Sequence, residues 1–243
     1  ENTEPLQMDS AVLFATDRGI MLISGSQTQC ITDVINAEEP FNVLQLPGMD
    51  KLHSMLGHDA DTCLPTAPFL DFISECGMLY DYVHQRVIVY NPNYTYAYVY
   101  SLKSKEWGMM YSTIEAGINS YPEALAVDHN GALLNFSAMQ GVETKGLLVT
   151  RPLKLETPDI LKTMDTVIQR GHFQKGNVQA VLYGSRDLYN WHLVWSSKDH
   201  YLRGFHGTPY KYFRIACVTS LSATESLFGA SLQFTPRQTN QPR

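Results

Sequence analysis

Apolar runs interrupted by turns of a few polar residues recur along this chain, and that grammar confines it to antiparallel β-structure. Val12–Ile23 turns at Asp17–Gly19, Leu79–Tyr90 turns near His84-Gln85, and Ala124–Phe136 turns at His129-Asn130-Gly131. An Asn-Gly pair between apolar runs is the strongest short-range hairpin signal, because both turn residues must reach positive φ. Two further stretches share the logic with aromatics added. Tyr96–Trp107 alternates tyrosines into a polar turn and ends on a Trp, and Val181–Trp195 does the same around the corner Gly184–Asp187. Trp107, Trp191 and Trp195 are expected to anchor cores, and Asp17, Asn130 and Gly131 to fix turns.

The second and third turns are spaced like propeller blades, whose period is about 40–50 residues. The first and second are farther apart, and residues 48–77 account for the excess. Met49–Leu56 and Pro68–Cys76 read as short helices, the latter opened by Pro68 and stopped by Gly77. Blades bury their faces on neighbours, and a closed propeller needs about four or more. The pattern supplies two to three, so either further sequence completes a ring or the architecture is a different one. After the strand-like Leu147–Leu155 comes Thr157-Pro158, a plausible joint. Longer strands then follow at Thr163–Gln169, Val178–Tyr183, Trp191–Ser196, Tyr210–Thr219 and Leu227–Pro236, lengths that suit a sandwich. The expected fold is all-β: propeller-like blades over 1–150 with a helical insert at 48–77, then a β-sandwich over 151–243 ending in an exposed tail at Arg237–Arg243. The chain opens at Glu1 rather than Met, which reads as a processed product or as a domain of a longer polypeptide.

Charged residues are only 17% of the chain, against about 25% in ordinary soluble domains, which points to large protein–protein contacts. Net charge is −6 with Lys and Arg dispersed, whereas a nucleic-acid ligand requires a concentrated basic face. No apolar stretch approaches a membrane span, and no secretory leader pattern opens the chain. Cys30, Cys63, Cys76 and Cys217 are widely spaced without a CxxC pair and read as buried reduced thiols. The sequons at Asn93 and Asn135 carry little weight, being three-residue matches.

Nothing in the sequence assembles a catalytic or metal centre. His53 and His58 miss the i, i+4 spacing that puts two ligands on one helical face, and His192, His200 and His206 lack a partner at ligand spacing. Asp17, Asp81, Asp128 and Asp187 each sit at or beside a turn, where Asp bonds nearby backbone. A facing carboxylate pair such as Asp81 and Asp128 would be needed for glycoside hydrolysis. No nucleophile elbow, P-loop or dinucleotide fingerprint is present. The expectation is therefore no enzyme, no cofactor and no metal. The aromatic density is the stronger signal. Tyr94, Tyr96, Tyr98 and Tyr100 would share one strand face, either as a packing layer between blades or as a stripe for a partner protein or a sugar. As contact residues the sequence offers Tyr94, Tyr96 and Tyr98, and from the loop Asp199–Gly207 the residues Asp199, His200, Tyr201, Arg203 and His206.

Arg151–Leu155, Thr163–Gly171, Val181–Trp191, Gly207–Ile215 and Phe234–Arg237 together resemble a module in structural proteins of tailed bacteriophages of gut Bacteroidales, the crAss-like phages among them. Phe14–Ser26 is similar to blade segments in tail-hub and neck-stabilising phage proteins built on propellers. The resemblance implies a noncatalytic virion component, assembled in the bacterial cytoplasm and placed in the phage tail or neck. Its partners would be other virion proteins and copies of itself, with no membrane and no sequence-specific nucleic acid. The helical insert at 48–77 departs from that pattern. Gly-Ser-x-Asp followed by Trp also occurs in sugar-binding sandwiches, so a carbohydrate-binding or glycan-degrading tail or gut-bacterial protein is the alternative, and a kelch-like host scaffold is a third reading.

Overall fold

The computed structural model describes residues 3–36, 42–54, 56, 64–138, 144–156, 159–197, 201–203 and 207–237. The fold is all-β, with five antiparallel sheets. The chain divides into two compact units: residues 1–42 with 59–139, and residues 43–58 with 140–243.

Unit 1 contains three meanders. Sheet 1 is β1 (Leu6–Gln7), β2 (Ala11–Thr16), β3 (Gly19–Ser24) and β4 (Gln27–Cys30). Sheet 2 follows helix α2 (Phe69–Ile73) and is built of β5 (Gly77–Asp81), β6 (Arg86–Tyr90), β7 (Tyr96–Ser101) and β8 (Trp107–Tyr111). Sheet 3 is β9 (Ile114–Asn119), β10 (Ala124–Asp128) and β11 (Leu133–Asn135). The first strands lie beside one another, β5 against both β1 and β9.

Strand alternation gives sheet 2 two different faces, and both are buried. Met78, Tyr80, Val87, Val89, Tyr96 and Tyr98 share a core with Leu13, Ala15 and Ile20 of sheet 1 and with α2. Leu79, Ile88, Tyr90 and Ala97 share another with Ile114 and Ala126 of sheet 3. Strands β5 and β6 accordingly read as nearly unbroken apolar runs, the mark of a strand covered on both sides.

Unit 2 holds two sheets. Sheet 4 has the order β12 (Thr144–Val149), β17 (Tyr212–Leu221), β14 (Val178–Ser185), β15 (Trp191–Ser197). Sheet 5 has the order β16 (Tyr201–Arg203), β13 (Leu161–His172), β18 (Ser226–Arg237). One face of sheet 4, with Val178, Ala180, Leu182, Phe213 and Ile215, shares a core with Met164, Val167 and Leu202 of sheet 5. The other face, with Val181, Tyr183, Ala216 and Val218, is covered by Leu46, Met49 and Leu52 from the 3-10 turn Val43–Gln45 and helix α1 (Met49–Ser54).

Several expectations change here. The stretch 48–77 is not one insert: its first helix packs in unit 2 and its second in the tyrosine core of unit 1, because each carries apolar residues that a different sheet face lacks. Residues 144–149 belong to unit 2, since β12 pairs with β17 along its whole length. Gly77 does not stop α2; it opens β5 opposite Tyr90, and the helix ends at Ile73 with Ser74 as its C-cap. At the Asn-Gly turn only Gly131 has positive φ, +79°. Asp128 N–H donates to Ala132 O and its carboxylate accepts from Asn130 N–H and Ala132 N–H, closing a three-residue loop instead of a two-residue one. Trp195 is 43% exposed on β15 and anchors no core, while Trp107 packs on the unit 1 core and donates to Ile31 O at 2.8 Å. Cys76 and Cys217 are buried free thiols pushed up to about 12 by desolvation, but Cys30 is only half-buried. Cys63 and the tail after Arg237 lie outside the described residues, as does the Thr157-Pro158 joint.

Candidate interaction surfaces

The tyrosine stripe is a packing layer. Tyr96 is 1% exposed and Tyr98 7%, which leaves neither free to hold a partner or a sugar. The reason is local: α2 lays Phe69 and Phe72 across the strand face that alternation reserves for the tyrosines. Phe72 stacks on Tyr96 with centroids 5.0 Å apart and planes at 19°, and meets Tyr98 edge-on at 5.0 Å. The Tyr96 hydroxyl accepts from Thr66 N–H and Ala67 N–H, both at 3.3 Å, so the ring is fixed at its polar end too. Burial pushes the Tyr98 phenol well above its ordinary value. Tyr94 precedes the strand in a turn, half-buried, with its ring 5.5 Å from that of Tyr96.

The second group of contact residues divides. Tyr201 is half-buried in β16 opposite Ile168, and Arg203 ends the same strand with its backbone opposite Thr166. Asp199, His200 and His206 lie outside the described residues.

Among the described carboxylates Asp81 is the most enclosed, with a fully buried side chain. Oδ2 accepts from Arg86 Nε at 2.8 Å and meets His84 Nδ1 at 2.7 Å, while Oδ1 accepts from Ser137 Oγ at 2.8 Å. Arg86 also donates from Nη2 to Phe136 O at 2.7 Å. Burial alone would raise the carboxyl, but these hydrogen bonds and the guanidinium charge hold it below the ordinary range. The network bonds the β5–β6 hairpin to the residues just after β11 and engages both carboxylate oxygens of Asp81. Asp128 is spent on its own turn, as described above.

Asp187 organises the corner between β14 and β15. Its carboxylate accepts from Tyr189 N–H and Asn190 N–H at 3.0 and 2.8 Å, and Ser185 Oγ adds a bond at 3.1 Å. Those bonds, led by the one from Asn190, hold the carboxyl far below its ordinary value. Trp191 Nε1 donates to Leu188 O at 3.0 Å, and Arg214 lies over the indole, 4.9 Å from its centroid. This clamp carries Tyr189 at 90% exposure, a feature the sequence signalled only as a polar corner.

Two larger surfaces went unnoticed in the sequence. The faces of sheets 1 and 3 turned away from sheet 2 carry Val12 and Ile23, and Ile118 and Leu133, all exposed. Among the described residues no cluster of His, Cys, Asp and Glu is placed to hold a metal ion, and no helix is long and apolar enough to cross a membrane. No protein-family profile matches the chain, and no curated protein is similar to it in sequence.

Proposed function

We propose that this chain is a noncatalytic structural component of a phage tail or neck complex, acting through protein–protein assembly. The observation that carries the reading is the build of unit 1. Sheet 2 shares one core with sheet 1 and another with sheet 3, which is what propeller blades would require, and the outer faces of sheets 1 and 3 carry exposed apolar residues. Exposed apolar side chains that stand opposite one another across a sheet, as Val12 and Ile23 do, suit a face that a partner covers. The low charge supports the same reading. Unit 2, with sheets 4 and 5 sharing one core, fits the sandwich partner module. The chain would then act by repeated burial of such faces in the virion, among other tail proteins and copies of itself.

Mass spectrometry of purified particles from the source culture tests this. Peptides of the chain in stoichiometric amount support the tail role, and their absence from intact particles ends it.

One observation favours a second reading, a carbohydrate-binding tail protein. Tyr189 stands fully presented on a corner pre-ordered by Asp187, and an exposed ring on a rigid backbone suits stacking on a sugar. Saccharide titration followed by NMR should then show binding that Tyr189→Ala abolishes without unfolding the chain. No binding at millimolar sugar removes this alternative.

A further inference from the structure

The two free faces of unit 1 are counterparts of faces already paired within it. In sheet 1, β2 and β3 set Val12 opposite Ile23 and Phe14 opposite Met21, while the alternate residues Leu13, Ala15 and Ile20 enter the core. In sheet 3, Leu125 stands opposite Ile118, and Val127 opposite Leu133, with Ala124 and Ala126 turned inward. Val12 and Ile23 are 36% exposed, Ile118 42% and Leu133 63%. Their neighbours in register, Thr28, Cys30, Ala116 and Asn135, are uncharged.

We propose that the outer face of sheet 3 in one chain docks on the outer face of sheet 1 in a second copy, and that two chains close head to tail into a ring of six sheets. This rests on the assembly reading above and names its partner. The occupant follows from continuity. Sheet 1 meets the sheet 2 face that bears Met78, Val87 and Val89, and sheet 3 meets the opposite face, which bears Leu79 and Ile88. All three sheets are meanders whose strands follow in chain order, four in sheets 1 and 2 and three in sheet 3. The free face of sheet 1 is thus equivalent to the Met78 face, and the free face of sheet 3 to the Leu79 face. Each is the partner the other lacks. A heterologous contact of this kind makes a ring when its rotation closes. Stacked-blade rings hold about four to eight blades, which two copies of three satisfy and three copies exceed.

The test uses sedimentation of the full chain as wild type, as Ile118→Lys on the sheet 3 face and as Val12→Lys on the sheet 1 face. The wild type should sediment as a dimer. Each variant should be monomeric, because every interface needs one face of each kind. An equimolar mixture of the two should recover a dimer through the single contact whose faces are both intact. Leu133→Lys, at a more exposed position, is a second sheet 3 variant, and a cooperative melting transition with a wild-type far-UV CD spectrum shows that each is folded. A wild type that is monomeric or larger than a dimer overturns the proposal. So does a dimer indifferent to the substitutions, or a mixture of folded variants that stays monomeric. A monomer that is still a stoichiometric part of purified particles sinks this interface and leaves the structural role standing. A head-to-tail dimer absent from particles does the reverse.

Discussion

Asp81 is a carboxylate withdrawn from water, and Arg86, His84 and Ser137 make that tolerable by directing hydrogen bonds at it. Asp81→Asn removes the charge and turns one acceptor into a donor facing donors. Unit 1 should lose about 2–3 kcal/mol in urea unfolding, the scale of hydrogen bonds to a charged group. The pH dependence has a fixed sign. A carboxyl held below its ordinary 3.8 stabilises the fold above that value and loses the contribution as pH falls through the lower folded-state value. Glu225 behaves alike in unit 2. Backbone N–H groups of Ser222 and Gln174 lead the bonds that hold it down to about 2, so its contribution fades between an ordinary 4.5 and about 2. Stability measured by chemical unfolding should therefore drop below pH 4.5. Glu225→Gln should flatten that limb, and a variant with the same acid slope as wild type would refute the assignment.

Helix α2 is short, yet the tyrosine core depends on it. Phe72 is fully buried between Tyr96 and Tyr98, and its backbone carbonyl accepts from Asn91 Nδ2 at 2.7 Å. Phe72→Ala leaves a ring-sized void and should cost about 3–5 kcal/mol, visible as a lowered urea midpoint. Sheets 2 and 3 are joined by hydrogen bonds as well as by packing. The Tyr90 hydroxyl accepts from Gly117 N–H at 2.6 Å, and a Cβ at Gly117 would stand 2.6 Å from Leu79 Cδ2. Tyr90→Phe strands that N–H at a cost of about 1–2 kcal/mol, whereas Gly117→Ala wedges the two sheets apart and should cost more. At this scale the sequence was most legible. The hairpins at Val12–Ile23, Leu79–Tyr90 and Ala124–Phe136 and the helices near 49–56 and 68–76 are local patterns, and local patterns show in residue spacing. What covers Tyr96 was not legible, because a tyrosine on a strand suits a core and an interface equally well. Phe72 decides between them, and no spacing rule links position 72 to 96. Trp195 fails as an anchor for the same reason: its alternation is right, but β15 is an edge strand of sheet 4.

At the scale of the whole molecule the chain leaves unit 1 after residue 42, builds part of unit 2 over 43–58, and returns. Unit 2 is therefore discontinuous in sequence. Its sheet 4 would show Val181, Tyr183, Ala216 and Val218 to water without Leu46, Met49 and Leu52. Each of those three side chains contributes roughly 2 kcal/mol by burial, a large share of the stability of a domain this size. In the full chain Met49→Ala should cost about 2–4 kcal/mol and Leu46→Ala a similar amount, read from urea unfolding. A fragment beginning at residue 140 should bind a hydrophobic dye strongly and unfold without a sharp transition. Adding a synthetic peptide of residues 43–56 in trans should suppress the dye signal and restore cooperative melting, because the cover needs only contact with sheet 4 and no covalent continuity with it. A fragment 140–243 that melts sharply by itself, with its dye binding unaffected by the peptide, would show that sheet 4 is complete without α1. The coupling of 43–58 to unit 2 would then be incidental to its stability.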